Sequence, residues 1–193
     1  MPEHRKRVKH YHEPGDLHEL TFSCYQRMPL LTNDTWRRYL SDSIGSSCRE
    51  QRFRLVAFVF MPEHVHLIVD PLDEEPDIGT FLAAVKRPVS ARVKQTLVQR
   101  GSRLLEKLTI LERPGKTVFR FWQEGPGYDR NLQQERTALS AIDYVHMNPV
   151  RRRLVERASL WKWSSARWYE TDRQHVDVDL PEMHGLRPGF FVG

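Results

Sequence analysis

The chain has 193 residues, 39% of them hydrophobic, enough to bury one ordinary core and too few for a second catalytic domain. Its formal charge of +5 comes from Lys and Arg spread along the sequence, which favours a nucleic-acid partner over a membrane surface. Two cysteines, Cys24 and Cys48, exclude a disulfide framework or a Cys-x-x-Cys site, no apolar core of signal-peptide length follows the charged N-terminus, and no stretch approaches a membrane span, so a soluble protein of the reducing cytoplasm is expected.

After the turn-prone Pro14-Gly15-Asp16, His18, Leu20, Phe22 and Cys24 alternate with Glu19, Thr21, Ser23 and Tyr25, the pattern of a first strand. Thr32-Asn33-Asp34 offers an N-cap for a helix that places Trp36, Leu40, Ile44 and Cys48 on one face. A second strand runs from Phe53 to Phe60, and Met61-Pro62-Glu63 is short enough to fold it into a hairpin with a third. In that third strand His64, His66 and Ile68 share one face, while Val65, Leu67 and Val69 share the other and can bury against helices. Two neutral imidazoles on one open face could grip a divalent metal, although a bare His-x-His is more often two polar residues on a half-exposed strand.

Asp70-Pro71 through Pro76 is a polar break, followed by a helix with Ile78, Phe81, Leu82, Val85, Val89 and Val93 at helical spacing. Pro88 within it predicts a kink or break near Arg87. Residues 100 to 116 carry no clear pattern and read as an insertion, and Val118 to Trp122 is the expected fourth strand. Strand, helix, hairpin, helix, strand is an α+β order, a ferredoxin-like or RRM-like split βαβ sheet with its helices on one face and the histidines on a free one. One domain over residues 1–170 and a tail over 171–193 are expected.

Gly125-Pro126-Gly127-Tyr128-Asp129-Arg130 is turn-rich. From Gln133 a further helix is marked by Ala138, Ala141, Ile142 and Val145, with Tyr144 beside this stripe and Asn148 one turn later, where Pro149 disfavours continuing. His146 is expected at the surface, and Arg151, Arg152 and Arg153 read either as a phosphate-holding cluster or as a solvated charge run. His175-Val176-Asp177-Val178-Asp179 alternates donors like a metal strand but is expected to be an exposed edge or a fold-back segment.

Phe58-Val59-Phe60-Met61-Pro62-Glu63-His64-Val65-His66, Tyr144-Val145-His146-Met147-Asn148-Pro149-Val150-Arg151 and Trp163-Ser164-Ser165 together resemble the HUH endonuclease superfamily. Within it the likeness is to the single-tyrosine, IS200-like transposases, above all the REP-associated branch. Where many insertion-sequence members read Met-Pro-Asn-His-Val-His, this chain has Glu63, a variation that fits that branch. The resemblance implies that Tyr144 is the nucleophile and forms a 5'-phosphotyrosine link with single-stranded, hairpin-bearing DNA. It also implies that His64, His66 and Asn148 hold Mg2+ or Mn2+, in a monomer or a homodimer. Tyr128 is the rival nucleophile. Alternatives from other classes are a non-catalytic RRM-like nucleic-acid binder, which would need stacking aromatics on its central strands, and a metal-dependent phosphoesterase using the same histidines.

Overall fold

The computed structural model describes residues 16–125, 127–175 and 177–187; the expected turn at Pro14-Gly15, the basic N-terminal stretch and Pro126 lie outside them. In chain order the elements are β1 (Leu17–Ser23), α1 (Asp34–Glu50), β2 (Phe53–Phe60), β3 (His64–Pro71), α2 (Ile78–Gln99) and α3 (Leu104–Leu108). They continue with β4 (Thr109–Arg113), β5 (Lys116–Phe119), β6 (Tyr128–Leu132), α4 (Glu135–Arg151) and α5 (Ala166–Glu170). The main sheet is antiparallel with strand order β2-β3-β1-β6, the split βαβ arrangement of the ferredoxin-like fold.

Alternation along the strands builds two cores. Leu20 and Phe22 of β1, Phe58 and Phe60 of β2, and Val65, Leu67 and Val69 of β3 pack with Leu40 and Ile44 of α1 and with Phe81, Val85 and Val89 of α2. On the opposite face, Leu17, Ala57, Val59, Ile68 and Leu132 meet Ala138, Ala141, Ile142 and Val145 of α4. The histidine face is therefore not free: the apolar stripe of α4 closes over it, because Ile68 and Val59 would otherwise leave apolar surface in water.

The fourth strand of the sheet is Tyr128–Leu132, not the expected Val118–Trp122. Lys116–Phe119 instead pairs with Thr109–Arg113 in a separate two-stranded hairpin, which occupies much of the unassigned 100–116 stretch. The sequence Tyr-Asp-Arg-Asn-Leu hides a strand because its inward-facing polar residues have polar partners. Asp129 meets His18 Nδ1 at 2.9 Å and Asn131 Nδ2 donates to Asp16 at 2.9 Å.

Neither proline breaks its helix. Pro88 cannot donate to the Ala84 carbonyl, and the Ser43 hydroxyl of α1 stands in, 3.2 Å from Ala84 O and 2.8 Å from Val85 O. Ser43→Ala should therefore lower stability by about 1–2 kcal/mol, more than an exposed helix serine, because a buried carbonyl loses its donor. A urea midpoint equal to wild type would show that solvent reaches this carbonyl instead. At Pro149 the Asn148 Nδ2 donates to the Tyr144 carbonyl at 3.0 Å, helping hold the residue before proline helical, and α4 runs on to Arg151 before turning at Arg153, φ 57°.

The C-terminal segment folds back on the outer edge of β2. Phe60 N donates to Trp163 O at 2.8 Å, Phe58 N to Ser165 Oγ at 2.9 Å and His184 N to Leu55 O at 3.0 Å, covering an edge that would otherwise invite strand pairing. Asp179 pairs with Arg38 and Lys162, and Arg187 reaches the buried Asp70 at 2.7 Å, so the segment after residue 170 is tied to the body at Asp179 and Arg187. Among the described residues no helix is long and apolar enough to cross a membrane.

Candidate active site

The pairing of β3 with β1 sets Ser23 opposite His64 and Thr21 opposite His66. Thr21 Oγ1 lies 2.8 Å from His66 Nδ1, and Glu63 Oε1 lies 3.1 Å from His64 Nδ1. The two rings stand nearly perpendicular, at 87°, with their Nε2 atoms 3.1 Å apart. A carboxylate can only accept, so His64 carries its proton on Nδ1 and turns the Nε2 lone pair toward His66. In the His66 tautomer that donates Nδ1–H to Thr21, both Nε2 lone pairs converge on one point, outer-shell bonding of the kind that orients metal-ligating histidines; in the other tautomer Thr21 donates to Nδ1 and His66 Nε2–H donates to His64.

Both imidazoles are buried, each 6% exposed. Burial, and then the neighbouring His64, pushes His66 down to about 4; burial likewise lowers His64, against the opposing pull of Glu63. Both are neutral near pH 7, the form that binds metals. Burial would raise the Glu63 carboxyl, but the hydrogen bond from Arg152, with His64 beside it, holds it below the usual range.

The last turns of α4 bring in Tyr144, exposed at 43%, whose ring stands edge-on to His66 with centroids 5.7 Å apart. Arg151 lies over this ring, its Cζ 4.9 Å from the centroid. Tyr128, opposite Thr21 on the edge strand, faces the same side of the sheet one strand farther from His66. Of the two tyrosines, Tyr144 is the one in ring contact with a histidine.

The expected arginine cluster divides. Arg151 packs on Tyr144, Arg152 Nη1 binds Glu63 Oε1 at 2.8 Å, and Arg153 is exposed at the turn after the helix. Asn148 is buried with its Nδ2 committed to Tyr144 O, which leaves Oδ1 as its atom with lone pairs to offer.

His146, expected at the surface, is 8% exposed. Its Nε2 lies 2.8 Å from Ser165 Oγ and its ring packs on Tyr169, because α4 is sandwiched between the sheet and the folded-back C-terminal segment. Burial lowers it to about 4. The Trp163-Ser164-Ser165 signature is thus a clamp: Ser165 bonds β2 and α4 together.

His66 and His146 give a sign to the pH dependence of stability. Their folded values near 4 lie below the ordinary 6.5, so between these pH values the unfolded chain binds protons that the folded chain refuses. Their contribution is fully present above pH 6.5 and is lost as pH falls toward 4, on the order of a few kcal/mol together. Urea midpoints at pH 7.5 and pH 4.5 should show this loss, and His146→Gln should make the fall shallower; an unchanged slope would mean that the buried ring accepts a proton at no cost.

The residues that sequence reasoning missed are Thr21, Glu63 and Arg152 in their supporting roles. Thr21 becomes visible only once the β1–β3 register is known, and Arg152 only once the end of α4 is placed against β3.

Residues 17–109 match the family model described as Transposase IS200 like, a stretch ending before Tyr144. A Haemophilus influenzae protein carrying the name REP-associated tyrosine transposase is 23% identical over 145 residues, which cover 70% of this chain and 76% of that protein. The solved structure of a REP-associated tyrosine transposase bound to a REP hairpin superposes with a TM-score of 0.63 at 21% identity. It covers 94% of this chain and 92% of that one, a likeness of fold.

Proposed function

We propose that this chain, which resembles the IS200-like transposases over residues 17–109 and a REP-associated tyrosine transposase at 23% identity, is an enzyme of that group that cleaves and rejoins single-stranded DNA beside a hairpin, with Tyr144 as nucleophile. The observation that carries this reading is the contact of the exposed Tyr144 ring with His66, whose Nε2 faces that of His64 at 3.1 Å.

The donor set fits a divalent ion. Adjacent ligands about 2.1 Å from an octahedral centre stand roughly 3.0 Å apart, close to the observed spacing. His64 and His66 would hold the ion, with Asn148 Oδ1 as the candidate third protein ligand; Mg2+ and Mn2+ are the candidates. When bound, it would neutralise a non-bridging phosphate oxygen and so polarise the phosphorus.

The chain's own residues do the rest. Tyr144 Oη forms a bond to phosphorus as the bond to the 3'-oxygen breaks; the tyrosine gives up its proton and the departing 3'-oxygen gains one. The phosphotyrosine ester keeps the energy of the phosphodiester, so a 3'-hydroxyl can reverse the step on the same or another strand. Thr21 and Glu63 fix the ring orientations of the histidines. Since Tyr144 and His66 touch within one chain, a monomer has the parts that this reaction needs.

Arg151 and Arg153 are the arginines placed to take DNA phosphates, Arg152 being held by Glu63. Replacing both by glutamine should flatten the slope of log affinity against log salt by about two phosphate contacts' worth, and Arg152→Gln by less. An unchanged slope in the double variant would place the DNA elsewhere.

The test is incubation with labelled hairpin oligonucleotides bearing single-stranded flanks, with Mn2+, scored for a covalent adduct on a denaturing gel. Hydrolysis without an adduct would favour a phosphoesterase. Binding with neither would favour an RRM-like module, a reading that the structure weakens: β1 and β3 present Thr21, Glu19, His64, His66 and Ile68 on this face rather than stacking aromatics.

A further inference from the structure

One oxygen, Glu63 Oε1, serves two donors. It lies 3.1 Å from His64 Nδ1 and 2.8 Å from Arg152 Nη1, with Arg27 Nη2 at 3.7 Å. Arg152 is the C-cap of α4, its backbone N–H closing the last turn on Asn148 O at 3.0 Å. The carboxylate is not free to follow either donor, since the Glu63 side chain is largely buried and its carbonyl is fixed by Cys24 N at 2.9 Å. The last turn of the helix that carries Tyr144 is thus tied to the same atom that orients a histidine of the candidate metal site.

Resting on the metal reading above, we propose that Glu63 is a shared counter-ion for which Arg152 and a cation-bearing His64 compete, so that cation binding and docking of the last turn of α4 are antagonistic. A cation at Nε2 makes the Nδ1–H a stronger, charge-assisted donor and draws on the negative charge of Oε1. The Arg152 guanidinium then holds the same oxygen less firmly, and the last turn of α4 is released from the β2–β3 turn. By reciprocity, removing Arg152 must tighten cation binding by the factor by which the cation loosens Arg152. Glu63 and Arg152 are positioning residues in this scheme, acting through His64 and the last turn of α4.

The experiment uses the full chain without DNA and reads Mn2+ affinity from the loss of the free-ion electron paramagnetic resonance signal. Arg152→Met should tighten Mn2+ about three- to tenfold, whereas Arg153→Met, which removes the same charge nearby, should change it less than about twofold. Glu63→Gln should weaken Mn2+ about ten- to a hundredfold and erase the difference made by Arg152→Met. In wild type, Mn2+ should speed amide hydrogen exchange over residues 148–153, and in Arg152→Met it should not. Equal effects of the two arginine changes, or tightening by Arg152→Met that persists beside Glu63→Gln, would reduce the link to general charge repulsion and overturn it. A wild-type chain that binds Mn2+ with no dependence on Arg152 overturns the coupling alone; one that binds no Mn2+ overturns the metal reading with it.

Discussion

Tyr144→Phe is expected to abolish the covalent DNA adduct, a loss of at least about a thousandfold in its rate of formation, while hairpin affinity stays within about twofold of wild type. The reason lies in what the substitution leaves in place. Phenylalanine keeps the ring that stands edge-on to His66 and supports Arg151, and removes only the hydroxyl of a side chain that is substantially exposed. No buried polar group loses a partner, so stability should remain within about 0.5 kcal/mol. Tyr128→Phe is the internal comparison, since Tyr128 faces the same side of the sheet beside Thr21. An adduct that survives Tyr144→Phe and disappears in Tyr128→Phe would transfer the nucleophile to the edge strand.

The parts of this fold that were legible in the sequence are those in which burial alone fixes the pattern. β3 reads correctly because Val65, Leu67 and Val69 enter one core while His64, His66 and Ile68 turn to the other face. The stripe Ala138, Ala141, Ile142, Val145 reads correctly because α4 meets the sheet through those residues. What escaped depends on contacts between segments distant in sequence. β6 looks like a loop because Asp129 and Asn131 are paired with His18 and Asp16 more than a hundred residues away. Pro88 looks like a helix breaker because the hydroxyl that donates to the Ala84 carbonyl in its place comes from α1. His146 looks like a surface residue because the Ser165 that buries it comes nineteen positions after it, beyond the end of the helix.

The candidate site shows the same division. His64, His66 and Tyr144 stand out by residue type and spacing, but Thr21, Glu63 and Arg152 have no such signal: a threonine on a strand, an acid in a hairpin turn and one arginine of three. They matter here because an imidazole offers a usable lone pair only when its other nitrogen is committed. The open histidine face inferred from alternation was the main error of geometry, and its correction strengthens the functional reading. The helix that closes the face is the one that delivers Tyr144 to His66.

Replacing both His64 and His66 by alanine should remove Mn2+ binding and DNA cleavage together while leaving hairpin affinity changed far less. Imidazole suits Mn2+ and later transition ions better than Mg2+, which prefers hard oxygen ligands and keeps its waters. Wild type should accordingly bind Mn2+ more tightly than Mg2+ in the absence of DNA. Mg2+ could still support cleavage once phosphate oxygens and Asn148 complete its shell. The double change leaves Thr21 Oγ1 and Glu63 Oε1 without their histidine partners. Glu63 retains Arg152, and Thr21 is only partly buried, so the fold should survive with a loss of about 1–3 kcal/mol, measurable by urea denaturation. Two results would sink the assignment: an adduct that still forms in EDTA, or one that still forms in the folded double variant. Either would return His64 and His66 to the role of two buried polar residues beneath α4, with Tyr144 activated by some other group.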